Sequence, residues 1–416
     1  MSIPLDQLYD FYDSFIDDDL IIYRFNPHGS KKITDLKQSH PYPHIDVVTK
    51  PIMICHDQEP LNFNLYSPDN IQGLWNSMSN TAWPAGFAKF WESRNLRSAC
   101  EVNIFDRCLL LHSEHRGLNL NLYQQQNFVP VYVWSHGLLA RDWYRYAAID
   151  PRLQTFAQYR YDFNIYARAW TNTREYRLML LAMVADIAHH CRVTFASQDN
   201  GEQYQRYQPR NPKFYINHLD LVNLYDDSFI SSDSSATYNS DHYQQCAIDL
   251  VTETLFDDDR VQLTEKILRP IACGKPFLVA GPWGSLDYLK SYGFETFDSV
   301  IDETYDTIQN SYQRLHALGD LMRYIARMSS HDKKNLYHKM NVIAARNRQH
   351  FFSSDFFQQI LVEYKVNIKD GLRQVYESRR GTEWQQQMDL YNQYPNLRSE
   401  ILDLQSVVLD RLHTTR

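Results

Sequence analysis

Thr252-Glu253-Thr254-Leu255-Phe256-Asp257-Asp258-Asp259-Arg260-Val261-Gln262-Leu263-Thr264-Glu265-Lys266-Ile267-Leu268-Arg269-Pro270-Ile271-Ala272-Cys273-Gly274-Lys275-Pro276-Phe277-Leu278-Val279-Ala280-Gly281-Pro282-Trp283-Gly284-Ser285-Leu286 reads as helix, turn and buried strand in succession. Thr264 is a good N-cap, Gly274 a helix stop and Pro276 a strand opener, which predicts a helix over 264–273 and a strand over 276–280. The first helical turn carries Glu265 and Lys266. Unpaired N–H groups and the positive dipole end, with a lysine added, suit a diphosphate. Glu265 is then placed to accept hydrogen bonds from sugar hydroxyls. Arg269 follows four residues later on the same helical face, so the plain alternative is a surface Glu265–Arg269 pair worth ~0.3 kcal/mol. The turn Gly281 to Ser285 lies between strand and helix, and offers the backbone N–H groups of Gly284 and Ser285 to the same ligand.

Outward from this segment, strand-length apolar runs alternate with longer amphipathic stretches. In the first third the runs are 20–25, 51–55, 108–112 and 129–134; in the second part they are 163–168, 191–196, 247–252 and 276–280, with helices over 173–189 and 264–273. Such alternation predicts βα units and parallel sheets, with ligands at the carboxyl ends of the strands. The expected class is α/β, with two sheets in tandem: residues 1–150, residues 151–330, and a helical extension over 331–416 that packs on them or makes a homo-oligomer contact. The polar stretch 198–215 and the Ser- and Asp-rich stretch 231–241 are expected to be loops.

Composition narrows the function. Against 42 basic side chains stand 50 acidic ones, a formal net charge of −8, so the chain does not coat nucleic acid, although a local basic groove stays compatible. No window has the ~18 apolar residues of a membrane span, and the start lacks a secretory signal. No integral membrane contact and a cytoplasmic location are therefore expected. The six cysteines form no C-x-x-C pair and fall mostly in apolar runs, which argues against a zinc site or a disulfide scaffold. No G-x-x-x-x-G-K-[ST] and no G-x-G-x-x-G occurs, which removes the main support for an ATPase or a dinucleotide oxidoreductase.

Thr264-Glu265-Lys266, the short helix, the Ala272-Cys273-Gly274 turn and the apolar strand resemble the donor-binding region of GT-B glycosyltransferases, most closely the fucosyltransferase family. The resemblance extends over residues 252–286, and similar chains occur among large tailed bacteriophages. It implies two Rossmann-like domains facing across a cleft, Glu265 on the ribose or donor sugar, and Lys266 on the diphosphate. In that family an arginine early in the C-terminal domain also holds the phosphates, for which Arg168 and Arg174 are the candidates. No cofactor or metal is implied beyond the sugar nucleotide, and the stereochemical course stays open.

A catalytic base would have to accept the acceptor hydroxyl proton. Glu59 and Asp57, in His56-Asp57-Gln58-Glu59-Pro60, stand first, His136 second and Glu114 third. Asp257 to Asp259 also match the metal-binding Asp-x-Asp of the other glycosyltransferase architecture, but precede a helix cap instead of ending an exposed strand. A nucleotide-sugar epimerase and a non-catalytic interaction protein are the rival readings. The acceptor is a glycan, a small metabolite or a hydroxylated base in phage-type DNA. For DNA, Arg94, Arg97, Arg107, Arg116, Arg141 and Arg145 supply cations for a groove, and Trp143, Tyr144 and Tyr146 supply stacking surfaces.

Overall fold

A computed structural model describes residues 3–14, 21–25, 33–35, 52–61, 108–117, 119–125, 128–153, 159–214 and 235–379, and the protein is mixed α/β. Two compact units are present: unit 1 comprises Met1–Leu8, Glu114–Gly117 and Trp134–Val362, and unit 2 comprises Tyr9–Ser113, Leu118–Val133 and Glu363–Arg416. Residues 134–150 thus group with the second sheet, and the stretch from 331 onward is shared between the units. Hydrophobic spacing locates a helix but does not say which sheet it covers.

Unit 2 holds a five-stranded sheet of β1 (Ile21–Phe25), β2 (Ile33–Asp35), β3 (Ile52–His56), β4 (Cys108–His112) and β5 (Phe128–Tyr132), in the order β2-β1-β3-β4-β5. Strands β1, β3, β4 and β5 pair in parallel, as the apolar runs predict. Strand β2 had no such run, pairs antiparallel with β1 and makes the sheet mixed. All five residues of β4 are buried. Pro130 has no N–H to donate, and it stands in β5, at the end of the strand order, where a missing donor costs least. Helices α1 (Leu8–Asp13) and α2 (Asn119–Gln125) complete this part of the chain.

Unit 1 holds β6 (Tyr161–Ala167), β7 (Cys191–Phe195), the ribbon strands β8 (Gln198–Asp199) and β9 (Glu202–Gln203), β10 (Cys246–Thr252) and β11 (Phe277–Ala280). Its main sheet is all parallel, in the order β11-β10-β6-β7. The helices from residue 134 onward are α3 (Ser135–Trp143), α4 (Tyr176–Met183), α5 (Ser240–Gln245), α6 (Glu265–Ala272), α7 (Ser285–Ser291), α8 (Ser311–Ala326), α9 (Ser330–Phe352) and α10 (Ser354–Arg379). The single helix expected over 173–189 is instead α4 between two 3-10 turns, Asn172–Arg174 and Ala185–His190. Arg323 of α8 donates to the Met183 carbonyl and helps to end α4 there. The stretch 198–215, expected to be loop, contains the β8-β9 ribbon, and the described end of 231–241 supplies Asn239, whose side chain caps α5. Among the described residues no helix is long and apolar enough to cross a membrane.

Helix α10 continues past Val362 into unit 2, where it packs on the sheet through Gly371. A Cβ at that position would lie 2.7 Å from Val131 Cγ2 and 2.9 Å from Leu109 Cδ2. Both neighbours are buried, so neither has space to yield. Gly371→Leu is expected to destabilise unit 2 by about 1–3 kcal/mol, more than the ~1 kcal/mol of helix propensity it recovers. Urea denaturation followed by circular dichroism reads this, and a variant as stable as the parent would show that the helix is free to lift.

Candidate functional site

Strand β10 is buried along its whole length and ends at Thr252, followed by Glu253 and Thr254. Helix α4 fastens this edge: Tyr176 Oη donates to the carbonyls of Glu253 (2.7 Å) and Ala280 (3.1 Å), and Arg177 Nη2 to those of Thr252 (2.6 Å) and Glu253 (3.0 Å). The Glu253 side chain is fully buried and holds the cap of α6 at two points. Its Oε2 accepts from Thr264 Oγ1 at 2.7 Å and its Oε1 from the Thr264 N–H at 3.2 Å. Burial pushes the Glu253 carboxyl above its usual range, opposed by Lys266. Thr264 in turn accepts from the Lys266 N–H at 3.4 Å, the expected N-cap bond.

Glu265 and Lys266 meet His136 at this cap. Lys266 Nζ lies 2.9 Å from Glu265 Oε1 and 3.1 Å from Thr264 Oγ1, while His136 Nε2 lies 3.4 Å from Glu265 Oε2. His136 reaches the cap because α3 packs beside α6, with Trp134 Nε1 donating to the Leu263 carbonyl (2.8 Å) and Tyr144 Oη to that of Glu265 (3.2 Å). Burial alone would raise the Glu265 carboxyl, but Lys266 and His136 hold it down at about 2. Burial lowers His136 to about 4, so at neutral pH its ring is uncharged and the contact is imidazole to carboxylate. With Nε2 turned to Glu265, His136 Nδ1 is a buried nitrogen without a hydrogen-bond partner among the described residues. Gln262, two residues before the cap, is also fully buried, with neither amide atom bonded to a described residue. Sequence reasoning found Thr264, Glu265, Lys266 and His136 but assigned no role to Glu253 or Gln262. Glu253 stands directly after a buried strand, and that was its one available signal.

Other expected site residues lie elsewhere. Arg269 is buried, donates from Nε to Tyr243 Oη at 3.2 Å and stacks over the Tyr166 ring at 4.1 Å. The Glu265–Arg269 pair is not formed, because the helix turns Arg269 toward the aromatic interior. The Gly284 N–H donates to the Asp306 carbonyl (2.8 Å), the Leu286 N–H to the Asp306 carboxylate (2.9 Å) and Ser285 Oγ to Pro282 O (2.6 Å). The start of α7 is thus capped by the chain itself. Arg168 and Arg174 are half-buried beyond the end of β6. Glu114 is buried and pairs with Arg260 at 3.0 Å. Asp257 accepts from Asn211, Lys213 and Ser311, and Asp258 is chelated by Arg260. In unit 2, Asp57 is buried and accepts from Tyr12 Oη at 2.9 Å, and Glu59 is half-buried.

Of the cations expected to line a DNA groove, Arg94, Arg97 and Arg107 fall outside the described residues. Arg116 lies over the Trp283 ring at 3.5 Å and donates to Asp259 O at 3.1 Å. Arg141 is buried and donates to the carbonyls of Phe352 (3.1 Å) and Ser353 (2.8 Å) at the end of α9. Tyr144 is buried, while Arg145 and Tyr146 are exposed. Arg141 and Tyr144 are thus engaged in packing within unit 1, and half-buried Arg116 is engaged by the Trp283 ring and the Asp259 carbonyl.

No protein-family model matches the chain, and a search of the curated proteins finds no match.

Proposed function

We propose that the protein is a GT-B-type glycosyltransferase that moves a sugar from a nucleoside-diphosphate donor to an acceptor hydroxyl. What supports this is the convergence of Lys266, Glu265 and His136 at the first turn of α6. The Lys266 side chain is 25% exposed and is the cation of the group that solvent reaches. A diphosphate exchanging for Glu265 at the ammonium leaves that carboxylate facing the His136 imidazole, whose Nε2 lies 3.4 Å away. In this reading His136 accepts the acceptor proton at Nδ1 while Glu265 holds the ring from the other side, the division of labour of carboxylate–imidazole pairs.

Lys266→Ala is expected to weaken UDP or GDP binding by about 1.5–3 kcal/mol, roughly ten- to hundred-fold in Kd, through loss of a charge-assisted contact. Isothermal titration calorimetry measures it; equal affinity of parent and variant for every nucleotide would overturn the reading. A panel of radiolabelled sugar nucleotides, with and without hydroxymethylated DNA, then reads the acceptor. Label on DNA identifies a base acceptor, donor hydrolysis alone favours a glycan or metabolite, and absence of both binding and turnover favours an interaction protein.

A further inference from the structure

We infer that unit 1 carries a second binding site, in the crevice outside the carboxyl ends of β6 and β10, that takes a single uncharged sugar ring. The chain passes from β6 to β7 on one side and returns to β10 on the other, so the connections leaving β6 and β10 diverge. Open α/β sheets receive ligands at such reversals of strand order. A cavity of about 320 Å³ lies there, with Asn172 and Thr173 after β6, Phe256 to Asp258 after β10, and Arg210 and Asn211 from the intervening loop among its walls. Ligand pockets run from about 300 to 1,000 Å³, so this one has room for one ring and not for a chain of them. None of Glu265, Lys266 and His136 lines it.

The apolar part of the crevice is made by Leu255, Phe214 and Phe256, and the two rings are 6.1 Å apart and tilted by 57°. No flat heterocycle lies on both. Tyr176 stacks on Phe256 at 4.2 Å and 15°, and the Arg314 guanidinium lies 4.6 Å from the ring centre, so the faces of Phe256 are taken by the protein and its edge remains. That geometry disfavours a stacked nucleobase and suits the C–H groups of a puckered ring. The polar wall combines two amides, a guanidinium, a hydroxyl and the carboxylates of Glu175, Asp257 and Asp258. Those carboxylates repel a phosphate, whereas hydroxyls, which both donate and accept, satisfy every member of the set. Asp257 and Asp258 are oriented in advance: Asp257 accepts from Asn211 Nδ2 (2.7 Å), Lys213 Nζ (2.7 Å) and Ser311 Oγ (2.6 Å), and Asp258 from the Arg260 backbone N–H (2.9 Å), Nε (2.8 Å) and Nη2 (2.7 Å). Two carboxylate oxygens accept about four bonds, so each retains capacity for a ligand hydroxyl. Asn172 holds the rim in a left-handed conformation, φ 58°, uncommon outside glycine.

Saturation-transfer NMR on the full chain, with methyl hexopyranosides, methyl pentopyranosides and free nucleosides as probes, tests this. At least one methyl glycoside is expected to show transfer. Thr173→Trp, at an exposed position, should reduce it at least tenfold with the melting temperature unchanged, Arg210→Ala should reduce it severalfold, and Lys266→Ala should leave it intact. Absence of transfer to every glycoside overturns the inference, as does transfer that survives a folded Thr173→Trp. Nucleosides in place of glycosides overturn it in favour of a base pocket. Loss on Lys266→Ala but not on Thr173→Trp places the sugar at α6, which overturns the crevice and leaves the diphosphate reading standing.

Discussion

Arg314→Ala is expected to destabilise unit 1 by about 3–5 kcal/mol. The side chain is 2% exposed, and its guanidinium donates to four main-chain carbonyls: Gly281 (3.1 Å), Ile308 (2.6 Å), Gln309 (3.0 Å) and Phe256. These belong to the segments that leave β11 and β10 and to the approach to α8. Alanine strands the carbonyls at about 1 kcal/mol each and opens a cavity beside Phe256. Lysine presents one point charge where a planar fork with five donors is needed, so Arg314→Lys is expected to recover little. Urea midpoints decide the matter. A loss below about 1 kcal/mol would mean that water replaces the guanidinium.

The second large effect is a pH dependence carried by His136. The unfolded chain takes up a proton near 6.5, and the folded one only near 4, because burial disfavours the cation more than Glu265 favours it. Stability from the neutral ring is complete above about pH 6.5 and falls as the pH drops toward 4, by on the order of 3 kcal/mol. Glu265, held at about 2 against 4.5, loses its contribution lower, between pH 4.5 and 2. Asp249 and Asp306 act in the opposite sense: burial pushes both up to about 6 from 3.8, so the folded state gains stability as they take up protons between those values. In the parent protein these terms offset one another, and the readable quantity is the difference from His136→Asn, which cannot titrate. The stability difference between parent and variant is expected to move against the parent by about 3 kcal/mol between pH 7 and pH 4. Curves that stay parallel over that range would show that His136 titrates as in a free peptide.

Much of the local architecture was legible because it rests on chemistry a residue carries with it. Thr264 and Gly274 bound α6 for reasons intrinsic to a hydroxyl and to a backbone with φ of 66°, and the four-residue run Phe277 to Ala280 is a strand because nothing in it is polar. Partners distant in the chain were not legible. Asp306 caps α7 from 20 residues away, Glu253 holds Thr264 across 11, and Tyr243 draws Arg269 inward from 26 residues before it. Each turns on which side chain a neighbouring element brings alongside, which periodicity leaves open. The same holds for Arg141 and Arg116: a cation in the sequence reads as a surface charge until the carbonyls it serves are in view.

The packing of α10 on the sheet of unit 2 bears on how the protein is made. Leu109 and Val131 leave the ribosome long before Gly371, the residue that meets them, which follows Val131 by about 240 positions. At about 5–20 residues per second that is an interval of roughly 12–48 s. Throughout it, the apolar face around those two side chains lacks its cover and is open to association with other nascent chains. Most of unit 1, by contrast, is contiguous from Trp134 to Val362 and is complete before the part of α10 that carries Gly371 has emerged. Maturation therefore runs against the direction of synthesis: the later-made unit closes first, and the earlier-made sheet waits for the end of α10.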